Sequence, residues 1–343
     1  MAESNEKYMY RCLELAANGL VSVAPNPMVG CVIVHKDKII GEGYHREYGK
    51  SHAEPNAVAT VKNKSLLKEA TLYVNLEPCS VFSKTPPCTD LIIKHEIPKV
   101  IFGSRDTNTS VEIQGVEKLR KAGAEITEGI LEKQCRELNK RFFTFQEKKR
   151  PYVILKWAQT LDGFIAKKSE TSWITSDLSK RLVHKWRSEE QSIMVGTNTA
   201  EVDNPQLNVR EWVGKNPTRI VIDKSLRLPE ALHLFDQSQQ TLVFTEKKKT
   251  SKKNLEFVQI DFGKNNIHHI LDELHQREII SLIVEGGTQL LNSFLNSNLW
   301  DEARVFIGNK VYKEGVKAPE MPSVNCEKET VGDDQLLIFR NEI

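Results

Sequence analysis

Three segments of the chain carry side chains that can hold a metal beside an unligated acid: His52-Ala53-Glu54, Pro78-Cys79 and Thr85-Pro86-Pro87-Cys88. An imidazole and two thiolates are common zinc donors, and three protein ligands leave the fourth position to water, as a catalytic zinc requires. Such a metal lowers the pKa of its water toward neutrality. In hydrolytic deamination the acid of a His-x-Glu pair is not a ligand but carries a proton from the water to the departing amine. The pattern therefore assigns His52, Cys79 and Cys88 as ligands of one zinc ion per chain, and Glu54 as general acid and base. A purely structural zinc would need a fourth protein ligand, for which Cys12, Cys31 and His45 are available. Cys31 lies in the apolar run Val29 to Val34, and Cys12 shares a helical apolar face with Met9, Leu13, Ala16 and Leu20. Both read as core thiols.

The elements that must position these groups follow from the same stretch. Two short helices are expected to begin at the metal, over His52 to Val61 and Cys88 to His95, each with proline near its start, where a missing N–H costs no helical hydrogen bond. Around them the sequence predicts a helix over Lys7 to Ala17 and strands over Gly30 to His35, Lys38 to Tyr44, Thr71 to Asn75 and Lys99 to Gly103. A last helix over Val116 to Lys121 would close at Gly123. Alternation of this kind gives an α/β sandwich, with helices covering a mixed sheet. The charged segment from Gln146 to Arg150 ends at Pro151. It marks the join, giving domains over 1–147 and 152–343 with a linker over 148–151.

The second half restarts with Tyr152-Val153-Ile154-Leu155-Lys156, and strand-like runs recur over Arg219 to Asp223, Thr241 to Thr245 and Phe257 to Ile260. Ile279 to Val284 reads as a buried strand running through Glu285 into Gly286-Gly287 and the amphipathic stretch Gln289 to Leu295. A strand, a glycine turn and a helix N-terminus can bind phosphate through backbone N–H groups and the helix dipole. The Gly-x-Gly-x-x-Gly fingerprint is absent, so a nucleotide site and a plain tight turn both fit.

At 343 residues two domains are the default. Lysine and arginine (48) nearly balance aspartate and glutamate (46), leaving a net charge of +2 and no global field for a polynucleotide. The lysines at 247–249 and 252–253 read as a solvated loop. The polar start lacks an apolar signal region, and no stretch approaches transmembrane length. The expectation is a cytoplasmic protein with a small-molecule partner, neither nucleic acid nor membrane, open to homo-oligomerisation. Six cysteines do not make a disulfide scaffold at this length, so Cys12, Cys31, Cys135 and Cys326 are expected to be reduced.

Longer motifs carry a family resemblance across nearly the whole chain. The first half resembles the pyrimidine deaminase domain of riboflavin biosynthesis, through Pro25-Asn26-Pro27, Val29-Gly30-Cys31, His52-Ala53-Glu54, Leu76-Glu77-Pro78-Cys79-Ser80 and Lys84-Thr85-Pro86-Pro87-Cys88. The second half is similar to its reductase partner, through Thr160-Leu161-Asp162-Gly163, Trp173-Ile174-Thr175-Ser176, Asp203-Asn204-Pro205, Val221-Ile222-Asp223 and Glu285-Gly286-Gly287. The resemblance implies a cytidine-deaminase-like α/β/α sandwich followed by a dihydrofolate-reductase-like α/β domain. It also implies a bifunctional enzyme that deaminates 2,5-diamino-6-ribosylamino-4(3H)-pyrimidinone 5′-phosphate, then reduces the ribosyl group to ribityl with NADPH.

By that match Asn26, His45, Lys84 and Asn108 would hold the deaminase substrate. Lys156, Thr171, Arg187, Leu207, Arg210 and Glu285 would surround the sugar phosphate, with Lys156 and Glu285 orienting the sugar and assisting its ring opening. Ala158, Trp173, Thr199, Asp203 and Lys224, with the run Gly287, Thr288, Gln289, Leu290, Leu291, Asn292 and Ser293, would line the NADPH site. Without the family, Arg187 reads as a surface residue paired with Glu189 or Glu190. Two departures stand out: Ser80-Val81-Phe82-Ser83-Lys84 lacks the histidine and glycine usual between the two cysteines, and Asp106-Thr107-Asn108-Thr109 lacks the usual flanking prolines. The competing readings are a zinc-stabilised binding protein, a reductase with a scaffold first half, and a tRNA or nucleoside deaminase.

Overall fold

A computed structural model describes residues 2–82, 84–107, 115–167, 173–263 and 265–341, with the backbone alone for 2–4. Asn108, Thr171 and Ser83 therefore lie outside the described residues. The chain divides into two compact units, Met1–Lys149 and Arg150–Ile343.

The first unit runs α1 (Ala2–Ala17), β1 (Gly30–His35), β2 (Lys38–Tyr44), α2 (Ala53–Thr60), β3 (Thr71–Leu76), α3 (Cys88–Lys94), β4 (Lys99–Ser104), α4 (Gly115–Lys121), β5 (Glu125–Glu128), α5 (Glu132–Leu138) and α6 (Lys140–Lys148). Its sheet has the order β2-β1-β3-β4-β5. β1 is antiparallel to β2 and β3, while β3, β4 and β5 are parallel. Strand alternation divides the core into two layers. Cys31, Ile33, Leu72, Val74, Val100 and Phe102 pack with Ala57, Ile92 and Leu119. Val32, Val34, Tyr73 and Ile101 pack with Met9, Cys12 and Cys135. Helices thus cover both faces, giving the expected sandwich.

Gly41 and Gly43 on β2 let α2 come down onto the sheet. A Cβ at Gly43 would lie 2.3 Å from the Ala57 nitrogen and 2.8 Å from the Ala53 carbonyl oxygen, and one at Gly41 would lie 2.6 Å from the Ala57 carbonyl oxygen. No side chain fits at those separations.

The helix closing at Gly123 is not, as the sequence suggested, the last of the unit. β5, α5 and α6 follow, and their signals are weak for physical reasons. α5 buries only Cys135, and α6 hides Phe142, Phe143 and Phe145 between charged ends.

The second unit runs β6 (Tyr152–Thr160), β7 (Phe164–Ala166), α7 (Asp177–Glu189), β8 (Ser192–Val195), α8 (Thr197–Asp203), β9 (Thr218–Ile222), β10 (Thr241–Thr245), β11 (Leu255–Gln259), α9 (Asn266–Gln276), β12 (Ser281–Glu285), α10 (Thr288–Asn296), β13 (Glu302–Gly308), β14 (Val316–Lys317), β15 (Cys326–Val331) and β16 (Asp334–Arg340). Its nine-stranded sheet has the order β11-β10-β9-β8-β12-β6-β13-β16-β15. It is parallel from β11 to β13 and antiparallel through β16 and β15. Its central parallel strands β12 and β8 are buried on both faces and largely apolar. Val153, Leu155, Leu282 and Val284 pack with Leu271, Leu291 and Phe294. Ile154, Ile193, Val221 and Ile283 pack with Val183, Trp186 and Ala200 on the other face. β14 pairs with β7 apart from the main sheet.

Among the described residues no helix is long and apolar enough to cross a membrane. None of the cysteines forms a disulfide.

Candidate active sites

The three expected metal ligands gather where β3 ends and two helices begin. His52 is the N-cap of α2 in an extended conformation, Cys79 follows β3, and Cys88 opens α3. His52 Nδ1 lies 3.5 Å from Cys79 Sγ and 3.4 Å from Cys88 Sγ. Tetrahedral zinc with Zn–S of about 2.3 Å and Zn–N of about 2.0–2.1 Å requires N···S edges of roughly 3.6 Å, so the donor set fits the ion. Among the described residues only His52, Cys79 and Cys88 bring three such donor atoms within 4.8 Å of one another. Cys12 and Cys31 are fully buried core thiols, and none of the three residues suggested as a fourth ligand joins the group.

The local charges suit a cation. Hydrogen bonding from Cys88 holds the Cys79 thiol well below its usual range despite burial, with further help from His52 and the Cys88 backbone N–H, which reaches the sulfur at 3.3 Å. Thr85 Oγ1 meets His52 Nε2 at 3.3 Å, which fixes the ring with Nδ1 toward the thiols. The motif supplied Thr85, yet the spacing gave it no role. Glu54 is buried beside the trio without joining it, and burial, reinforced by Cys79, pushes its carboxyl up.

His45 Nδ1–H donates to the Ser51 carbonyl at 3.0 Å, leaving Nε2 to meet the Asn26 amide at 3.2 Å. Burial lowers the His45 pKa, which favours the neutral ring. The His45 and His52 rings stand edge-on with centroids 5.2 Å apart. Lys84 is exposed, its Nζ 3.8 Å from the Tyr48 ring centre. Val81 and Phe82, in the loop that departs from the family pattern, are exposed.

In the second unit, sheet register does what sequence spacing cannot. Glu285 on β12 pairs directly with Lys156 on β6, so their side chains rise from one face with Lys156 Nζ 4.0 Å from Glu285. Arg187 on α7 closes over that face and donates to both Glu285 oxygens, at 3.1 and 2.8 Å. The surface pairing with Glu189 or Glu190 is thus incorrect, because packing of α7 on the sheet turns Arg187 inward. Burial alone would raise the Glu285 carboxyl, but Arg187 and Lys156 outweigh it and hold it at about 2. The same burial lowers the Lys156 ammonium.

One face of α7 also holds the segment carrying Arg210. Lys180 pairs with Glu211 at 2.5 Å, His184 Nδ1 accepts the Arg210 backbone N–H at 3.4 Å, and Arg187 donates to the Asn208 carbonyl at 3.3 Å. Residues 180, 184 and 187 share a helical face. Buried Leu207 precedes this segment at φ +49. His184, which the sequence reading overlooked, is buried and lowered to about 4 by desolvation and by Arg187 and Arg210.

The remaining residues are spread over several elements of the second unit. Thr199 Oγ1 accepts the Gly287 N–H at 2.8 Å, joining the start of α8 to that of α10. Thr288 donates to the Lys317 carbonyl, and Ser293 donates to the Gln289 carbonyl at 2.9 Å. Leu290 is buried and Leu291 fully so, within the core, while Asn292 is half-buried. Ala158 lies on β6 and Asp203 ends α8, its carboxyl raised by burial. Lys224 pairs with Glu246 at 3.2 Å, and Trp173 is exposed.

A zinc-site deaminase unit followed by a reductase unit in one polypeptide defines a bifunctional enzyme class. Residues 2–104 match the cytidine and deoxycytidylate deaminase zinc-binding region, and residues 151–312 match the RibD C-terminal domain, whose fold is dihydrofolate-reductase-like. The chain is 40% identical to riboflavin biosynthesis protein RibD of Aquifex aeolicus, covering 98% of this chain and 99% of that one, and 34% identical to RibD of Escherichia coli, covering 90% and 88%. The crystal structure of a diaminohydroxyphosphoribosylaminopyrimidine deaminase/5-amino-6-(5-phosphoribosylamino)uracil reductase from Thermotoga maritima is similar at a TM-score of 0.90, with 36% identity over 99% of both chains. The chain belongs to the RibD family of bifunctional riboflavin biosynthesis enzymes.

Proposed function

We propose that the first unit deaminates 2,5-diamino-6-ribosylamino-4(3H)-pyrimidinone 5′-phosphate with one zinc per chain on His52, Cys79 and Cys88, and that the second reduces the product's ribosyl group with NADPH. The observation that carries the reading is the donor triangle beside buried Glu54, in a chain whose other unit holds the Lys156–Glu285–Arg187 cluster. Bound zinc would supply a Lewis acid that makes water nucleophilic near neutrality. Glu54 accepts a proton from the attacking water and delivers it to the ring amine, which leaves as ammonia. Asn26 and neutral His45 present the amide and imidazole that orient the pyrimidine, with Asn108 as a further contact, and Lys84 serves the phosphate.

In the second unit Arg187, Arg210, Leu207 and Thr171 hold the sugar phosphate. Glu285 and Lys156 orient the ribose and move protons as the ring opens, Lys156 from an ammonium already weakened by burial. NADPH, when bound, supplies the hydride, against a site of Ala158, Trp173, Thr199, Asp203, Lys224 and residues 287–293. The substrate and cofactor are water-soluble, and a cytoplasmic location belongs to the same proposal.

A paired assay on zinc-loaded protein tests the reading. Ammonia release followed by NADPH oxidation supports both halves. NADPH consumption only when the deaminated product is supplied ready-made would reduce the first unit to a scaffold. Silence in both assays would return the chain to the binding-protein class.

A further inference from the structure

The motif Thr160-Leu161-Asp162-Gly163 has no part in the chemistry above, yet its carboxylate is fully engaged. Thr160 Oγ1 donates to Asp162 at 2.6 Å and accepts the Phe164 N–H at 3.0 Å, closing the turn after β6. The other contacts of Asp162 reach far along the chain. It accepts the Tyr312 N–H at 3.1 Å to each oxygen and the Lys313 N–H at 2.7 Å, both from the segment after β13.

That segment, residues 309–318, lies across the turn as a strap. Leu161 N–H donates to the Lys310 carbonyl and Ala318 N–H to the Gly163 carbonyl, each at 2.9 Å. β14 pairs with β7. Gly315 sits at φ +154, where a Cβ would come within 2.2 Å of the Ala166 carbonyl oxygen. Lys313, a non-glycine residue at φ +65, adopts a conformation that needs outside bonds to hold it. Two further bonds leave the strap for residues of the proposed cofactor site. The Lys310 ammonium donates to the Trp173 carbonyl, and the Thr288 hydroxyl, at the start of α10, donates to the Lys317 carbonyl.

We infer that Asp162 is a positioning residue of the reductase, fixing through the strap where Trp173 and the start of α10 stand and thereby the fit of the nicotinamide cofactor. This rests on the reading that puts NADPH against those residues. An ionised carboxylate accepts several N–H bonds at once. An asparagine offers one oxygen and turns its NH2 toward backbone donors.

The test uses the full zinc-loaded chain with Asp162→Asn, and with Lys310→Met as a variant that leaves the turn intact. Ammonia release normalises the preparations. NADPH dissociation constants are measured by fluorescence, and NADPH oxidation is followed with deaminated substrate. For Asp162→Asn the expected result is a KM and Kd for NADPH raised about tenfold, the scale of one lost charge-assisted hydrogen bond, while kcat at saturating NADPH and the KM for the sugar phosphate hold within about twofold. Lys310→Met should shift the NADPH KM in the same direction by a smaller factor. Unchanged NADPH affinity in both variants would overturn the inference. So would a fall in kcat at constant KM, because a merely structural role reduces the amount of active enzyme. Failure of the wild-type protein itself to bind NADPH would instead remove the cofactor reading beneath it.

Discussion

Arg187 and Glu285, 98 residues apart in the chain, meet through two hydrogen bonds of 3.1 and 2.8 Å between a helix and the end of a buried strand. A guanidinium makes that fork and a lysine cannot. Arg187→Lys should therefore release the Glu285 carboxyl upward from about 2 and lower reductase kcat/KM by at least about tenfold, with ammonia release unchanged. Full NADPH oxidation in the variant would show that the charge suffices and the fork is unused.

Glu54→Gln keeps size and burial while removing the proton carrier. The expectation is zinc retained at the wild-type ratio, deamination reduced by roughly 10²–10⁴-fold, and reduction of ready-made deaminated product intact. Metal analysis beside the two assays decides it, and loss of zinc would make Glu54 a ligand after all.

The helix carrying His52 approaches the sheet over Gly43, where a Cβ would lie 2.3 Å from the Ala57 nitrogen. Gly43→Ala should push α2 away, weakening zinc binding and deamination together while sparing the reductase. Wild-type zinc affinity would mean that the sheet absorbs the methyl group.

Acid should weaken the second unit. Folded His184 takes its proton only near pH 4, whereas the unfolded chain takes it near 6.5, so the unfolded state binds more protons between those values and stability falls as pH falls through them. The loss is at most about 3–4 kcal/mol. Glu285, depressed to about 2, adds a loss in the same direction from about pH 4.5 downward. Denaturant midpoints at pH 7 and 5 check this, and His184→Gln should flatten the pH dependence between them. An equal slope in that variant would point to another group.

Legibility in the sequence followed the range of the interaction. Strands Gly30–His35 and Lys38–Tyr44 were legible, the first from its continuous apolar run, because both belong to a local antiparallel pair, and the expected zinc ligands stood in short contiguous motifs. β8 (Ser192–Val195) was missed because its four residues become a strand only between β12 and β9. β13 and β16 were missed too, their pairing being with each other and with distant β6. The pairing of Arg187 with Glu285, and the hold of His184 on Arg210, depend on where α7 lies over the sheet. No spacing in the chain records that.

Each proposed set of catalytic and metal-binding side chains belongs to its own unit: His52, Glu54, Cys79 and Cys88 to residues 1–149, and Lys156, Arg187 and Glu285 to residues 150–343. In genetic terms the locus should behave as two cistrons fused in frame. An allele carrying Glu54→Gln and another carrying Lys156→Ala, each unable alone to support a riboflavin auxotroph, should restore growth when expressed together, the intermediate made by one chain being finished by the other. Persistent auxotrophy with both proteins present would mean that the intermediate never leaves the polypeptide that made it.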